Sequence, residues 1–206
     1  MQESETKPPR LKGWEMVLGT ILDPAETLRY IADECPWGDA LGLILIASIL
    51  GYGVDSLLPS GDQFSLSGMI SNVFYALFSY VVFVGLVHVI GQQWYDEGDY
   101  EGAFCALAFT SVPFIFFSLI SILILPLGIQ PPSLDPRSWT WGPKLDPGVG
   151  IFTLLLAIAT LVWIIILNVI AIREHYDLEN GEAIITYILA RVIDIVIFWI
   201  LEGIFK

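Results

Sequence analysis

Apolar residues in this chain fall into long blocks separated by short polar segments. Uncharged runs cover 40–54, 69–95, 102–134 and 147–172, and a fifth apolar stretch, 183–206, is interrupted by Arg191, Asp194 and Glu202. A bilayer core of roughly 30 Å is crossed by about 20 mostly apolar residues in helical form. The pattern predicts an all-α integral membrane bundle of five transmembrane helices. The first reaches full length only if Asp55 sits at the membrane interface.

Ahead of the first span the pattern changes to short, one-sided apolar faces. Trp14, Val17, Leu18, Ile21 and Leu22 recur at helical spacing. The segment Asp23-Pro24-Ala25-Glu26 then has the form of a helix start, with Asp23 as N-cap, Pro24 in the first turn and Glu26 at the capping-box position. Leu28, Ile31, Ala32 and Cys35 continue one face. Two short amphipathic helices follow, lying in the membrane interface or capping the bundle. The expected organisation is a polar, disordered tail over 1–12, an amphipathic interfacial segment over 13–38, and the five-helix domain over 39–206.

Composition agrees with a membrane protein: 55% hydrophobic and 15% charged residues, with a mean hydropathy of +0.71. The net charge of −13 argues against nucleic acid as a partner. No short apolar core behind a basic start occurs in 1–38, so no cleavable signal is expected. Lys7, Arg10, Lys12 and Arg29 precede the first span and Arg173 falls on the same side, whereas Arg137, Lys144 and Lys206 fall on the other. The basic-residue bias therefore predicts a cytoplasmic N-terminus. The prolines and the two tryptophans, Trp139 and Trp141, of segment 129–148 suit an outer interfacial loop. Cys35 lies before the first span and Cys105 inside the third, so neither a disulfide nor a metal site is expected of them.

Candidate chemistry concentrates in two loops. The stretch WYDEGDYEG holds Tyr95, Asp96, Glu97, Asp99, Tyr100 and Glu101 with no lysine or arginine, and REHYDLENGE holds Glu174, Tyr176, Asp177 and Glu179. One hairpin separates them, so both lie on the same side of any five-span topology, and a Tyr-Asp pair recurs at each helix exit. They are expected to form one composite patch for a basic protein partner or a cation. In it Tyr95 and Tyr176 anchor their helices at the headgroup layer with hydroxyls toward water. Hard cations take six or more oxygens, for which Asp96, Asp99, Glu101, Glu174, Asp177 and Glu179 are the donors, although the EF-hand spacing is absent.

Within the spans, His88, Asn168, Arg191 and Asp194 are the polar residues that need an explanation. Arg191 and Asp194 are three apart on one helix face and can pair with each other. Alternatively, the four line a polar path, with Gly51, Gly53, Pro113 and Pro126 as helix breaks.

The run ILDPAETLRYIADECPWGDALGLILIASIL, the segment GDYEGAFCALAFTSVP and the segment REHYDLENGEAIITYILARVI together resemble the Yip domain of Ypt/Rab-interacting membrane proteins, over about residues 20 to 200. The resemblance implies a five-span helical membrane protein with a cytoplasmic N-terminus. Eukaryotic members are linked to Rab GTPases and vesicle traffic through a long N-terminal region. The region here is short and lacks the family's Asp-Leu-Tyr-Gly-Pro motif, which argues against GTPase binding and resembles the prokaryotic branch. No HExxH, phosphate loop, GxSxG or paired CxxC occurs, and WYDEGDY fails the glycine pattern of intramembrane aspartyl proteases. The expectation is a non-enzymatic scaffold or membrane organiser without cofactors, embedded in the lipid bilayer and acting through cytoplasmic loops. The alternative is a small transporter or channel subunit, for which a homo-oligomer would supply the room that five helices lack.

Overall fold

The structure is a computed structural model and describes residues 11–58, 64–94, 98–130 and 144–205. Residues 1–10 of the tail expected over 1–12, Tyr95, Asp96 and Glu97 of the acidic loop, and the prolines and tryptophans of 131–143 lie outside the described residues. Two short helices, α1 (Gly13–Leu22) and α2 (Pro24–Glu34), precede α3 (Trp37–Leu57) and α4 (Leu66–Gly91). The third span is divided into α5 (Tyr100–Phe109) and α6 (Val112–Gly128), and the last two are α7 (Pro147–Tyr176) and α8 (Asn180–Phe205). Five helices are long and apolar enough to cross a membrane, counting α5 and α6 as the single 29-residue span Tyr100–Gly128. A two-residue antiparallel ladder, β1 (Ile129–Gln130) with β2 (Lys144–Leu145), joins α6 to α7.

Polarity is inverted on the bundle's flanks. Leu154, Leu155, Ile158 and Leu161 of α7 and Ile188, Val192, Ile195 and Val196 of α8 are exposed. Contiguous apolar surface on this scale demands an apolar solvent, which the acyl chains of a bilayer supply.

At the centre stands α5, buried at every residue from Gly102 to Phe109. Its sequence GAFCALAF alternates small residues with large apolar ones, so α2, α3, α4 and α7 all pack on it, as a helix apolar on all sides requires. The division between α5 and α6 has a local cause. Pro113 cannot donate to the carbonyl one turn back, while Thr110 Oγ1 and Ser111 Oγ each donate 2.7 Å bonds to the carbonyls of Leu107 and Ala108. The kink is thus satisfied from within the helix, as packing needs.

Before the first span, α2 buries Thr27, Leu28, Ile31 and Ala32 against α5 and α7. It caps the bundle. By contrast, α1 leaves Trp14, Leu18 and Leu22 exposed on one face. Asp23 does stand at the N-cap of α2 with Pro24 after it, but its side chain makes no capping bond; a capping box stands instead at the start of α1, where Lys12 N donates to Glu15 Oε2 at 2.7 Å.

The cysteine expectation is overturned. Cys35 and Cys105 form a disulfide across a sequence separation of 70, with Cα atoms 5.3 Å apart. Sequence distance misled because α2 does not lie out on the membrane surface. It crosses α5, and its C-cap Cys35 adopts the left-handed conformation (φ 36°) one and a half turns along from the start of α5, beside Cys105.

Candidate functional site

The two polar hairpins meet at the end of the bundle that carries α1 and α2. Asp99 is the N-cap of α5, its Oδ1 accepting from Gly102 N at 2.6 Å. Its backbone carbonyl accepts from His175 Nε2 at 2.8 Å, so the ring carries a proton on that nitrogen. His175 belongs to the last turn of α7, which projects far enough to reach the α4–α5 loop. Asp99 and Asp177, each next to one of these contacts, are exposed on the same face.

Tyr176 is the other joint, and here the structure departs from the expected headgroup anchor. The side chain is fully buried, with its hydroxyl 3.0 Å from His88 Nδ1. Its ring fills the space that side chains at Gly91 and Gly98 would need: a Cβ at Gly98, where φ is +93°, would lie 2.6 Å from Tyr176 Cδ1. At Gly102 a Cβ would meet His175 Cε1 at 2.5 Å and the carbonyl oxygen of Ala32 at 2.8 Å. Three glycines therefore let α4, the α4–α5 loop and α5 close around one aromatic pair.

Charge on this face is sorted by pairing. Glu174, with only 10% of its side chain exposed, accepts from Arg29 at 2.6 Å and from Arg173. Arg173 also donates to Asn180 Oδ1 at 3.0 Å, tying α7 to α8. Both arginines are consumed by Glu174 and Asn180, which removes Glu174 as a cation ligand. Asp99, Glu101, Asp177 and Glu179 stay exposed, with Asp177 the left-handed C-cap of α7 (φ 50°). Glu179 is placed by a backbone bond from its N–H to Glu182 Oε2 at 3.0 Å. Tyr100 is half-buried, edge-on to His88. No group of three or more His, Cys, Asp or Glu side chains able to hold a metal ion is found among the described residues.

The remaining polar residues of the expected path are engaged separately, not with one another. Asn168, 2% exposed, donates to Ile164 O of its own helix at 2.7 Å. Arg191 Nη1 lies 3.4 Å from Asp194 Oδ2, and its guanidinium carbon stands 3.6 Å over the Phe83 ring. Among the described residues no hydrogen bond links His88, Asn168 and the Arg191–Asp194 pair.

Sequence reasoning missed the Arg29–Glu174–Arg173 set and the glycine joints. Glycine at 91, 98 and 102, one at each bend of an acidic loop, was the available signal.

No curated protein and no solved structure matches the chain. The Yip1 domain matches residues 18–201, a span that begins in α1, takes in α2 and all five membrane helices, and includes both hairpins of the composite face. The chain belongs to the Yip1-domain family.

Proposed function

We propose that the protein is a non-enzymatic membrane scaffold or organiser that recruits a basic protein segment to the face built from α2, the α4–α5 loop and the α7–α8 turn. The observation that carries this reading is the sorting of charge. Arg29 and Arg173 are spent on Glu174, so among the described residues no lysine or arginine pairs with Asp99, Glu101, Asp177 or Glu179, which present negative charge on a surface fixed by Tyr176 and His175. Such a surface steers basic partners in a salt-dependent way. Basic residues around α1 and α2 support a cytoplasmic setting for the face; the Cys35–Cys105 bond on the same face is the opposing observation, since disulfides persist in oxidising compartments.

A photo-crosslinking residue at position 177, used in native membranes, tests recruitment. Adducts that weaken with salt and vanish in Asp99→Asn/Glu179→Gln support it. The same adducts in wild type and the neutralised variant sink it.

One observation favours the transporter reading instead. Among the described residues Thr186 Oγ1 and Asp194 Oδ1, both buried on α8, have no hydrogen-bond partner, as groups awaiting a transported ion or its water would. Ion or proton flux in proteoliposomes that Asp194→Asn abolishes, with the protein still folded, would replace the scaffold reading.

A further inference from the structure

The opposite end of the bundle holds a recess that the composite face does not use. The last turns of α3 and the first three turns of α4 part around a cleft of about 620 Å³, lined by Tyr52, Asp55, Ser65, Ser71, Asn72 and Tyr75. Its walls are pinned by polar bonds. Tyr52 Oη accepts from Ser65 N and donates to Ser65 O, both at 3.2 Å, Asn72 Nδ2 donates to Ser48 O at 3.0 Å, and Ser56 Oγ donates to Tyr52 O at 2.8 Å. Gly68 permits this arrangement, because a Cβ there would lie 2.3 Å from Tyr52 Oη. The cleft is therefore built into the α3–α4 hairpin.

Its charge pattern is specific. Asp55 is exposed in the last turn of α3 and forms no ion pair among the described residues. The unpaired carbonyls at that helix end are themselves negative, so a carboxylate there is unfavourably placed until a cation joins it. Two tyrosine rings, Tyr52 and Tyr75, share the lining, and aromatic faces attract ammonium groups. Across the hairpin, where Tyr52 bonds to Ser65, the N-terminus of α4 presents the positive end of a 26-residue helix. Negative and positive ends thus stand side by side.

Among the described lining residues Asp55 is the one carboxylate, fewer oxygens than a hard divalent cation needs. The depth fits a lipid. Asn72 is seven residues from Ser65, roughly 10 Å along the helix axis, a depth on the scale of a phospholipid headgroup with its glycerol.

We propose that this cleft binds the headgroup of a zwitterionic phospholipid, with its ammonium group on Asp55 and the two tyrosines and its phosphate at the α4 N-terminus and the Ser65 and Ser71 hydroxyls. The site lies at the end of the bundle remote from the partner face and stands independently of the scaffold reading. Native mass spectrometry of the full chain, equilibrated with equal amounts of phosphatidylethanolamine and phosphatidylglycerol, tests it. Wild type should retain the zwitterionic lipid roughly fivefold over the anionic one, the size of one partly screened cation contact. Asp55→Asn should bring the ratio to about one, while Asp39→Asn, an exposed carboxylate at the other end of α3, should leave it unchanged; Tyr75→Ala should lower it by a smaller factor, through loss of one aromatic contact. Equal retention of the two lipids by wild type, or an unchanged ratio in Asp55→Asn, would overturn the proposal. Free O-phosphoethanolamine supplies the same charges without the bilayer anchor. Its failure to displace the lipid supports the membrane source, and binding of the free headgroup in preference to the lipid overturns it.

Discussion

Tyr176 should be the costliest aromatic residue to remove from the partner face, and its two halves can be separated. The ring is fully buried against Gly91 and Gly98, positions that have no side chain with which to refill a void. Truncation by Tyr176→Ala therefore leaves a cavity at the junction of α4, the α4–α5 loop and α7, for a loss of about 3 to 5 kcal/mol. Tyr176→Phe keeps the ring and removes only the 3.0 Å bond to His88 Nδ1, for a loss of about 1 to 2 kcal/mol. The assay is reversible unfolding in mixed micelles, with protease sensitivity of the α4–α5 loop read in parallel. The alanine variant should open the loop, whereas the phenylalanine variant should not. If alanine costs no more than phenylalanine, or if the loop stays protected in both, the ring is not what joins the two hairpins and the reasoning fails.

At Gly98, alanine must adopt φ +93° and set its Cβ against the Tyr176 ring; the same unfolding assay should report a loss of about 2 to 4 kcal/mol, and a neutral substitution would refute the close approach. Arg191→Ala and Asp194→Ala should each cost about 1 to 3 kcal/mol because each strands a charge, and the double variant should recover part of that loss; strict additivity in the cycle would show that the two do not pair. Reduction of the Cys35–Cys105 bond, which closes a 70-residue separation, should lower stability by about 4 kcal/mol on loop-closure grounds, read as a shift of the unfolding midpoint with reductant.

The membrane spans were legible in the sequence because hydrocarbon imposes a length and a composition on each helix separately. Runs 69–95 and 147–172 each contain most of a helix found in the structure. What local pattern could not show was how helices cross. The position of α2 over α5 depends on Leu28 and Ile31 finding Ala-rich surface far along the chain, and the disulfide between Cys35 and Cys105 depends on that crossing. The pairing of Arg191 with Asp194 was visible because it is local, three residues apart on one helix. Burial of Tyr176 was not, because a tyrosine at a helix exit beside acidic residues has the composition of a membrane anchor. Only the glycines that pack on it from another hairpin convert it into a core residue. Glu174 was misjudged for the same reason, since Arg29 reaches it from a different helix.

The proposed scaffold role requires that α2, the α4–α5 loop and the α7–α8 turn lie on one side of the membrane, which we propose is the cytoplasmic side. Single cysteines in place of Asp99, Glu179 and Thr140, in a chain carrying Cys35→Ala and Cys105→Ala, can be labelled with an impermeant maleimide in right-side-out and inside-out vesicles. Asp99→Cys and Glu179→Cys should react only from the cytoplasmic side and Thr140→Cys only from the other. Labelling of positions 99 and 179 from opposite sides, or of position 140 from the cytoplasm, would contradict it.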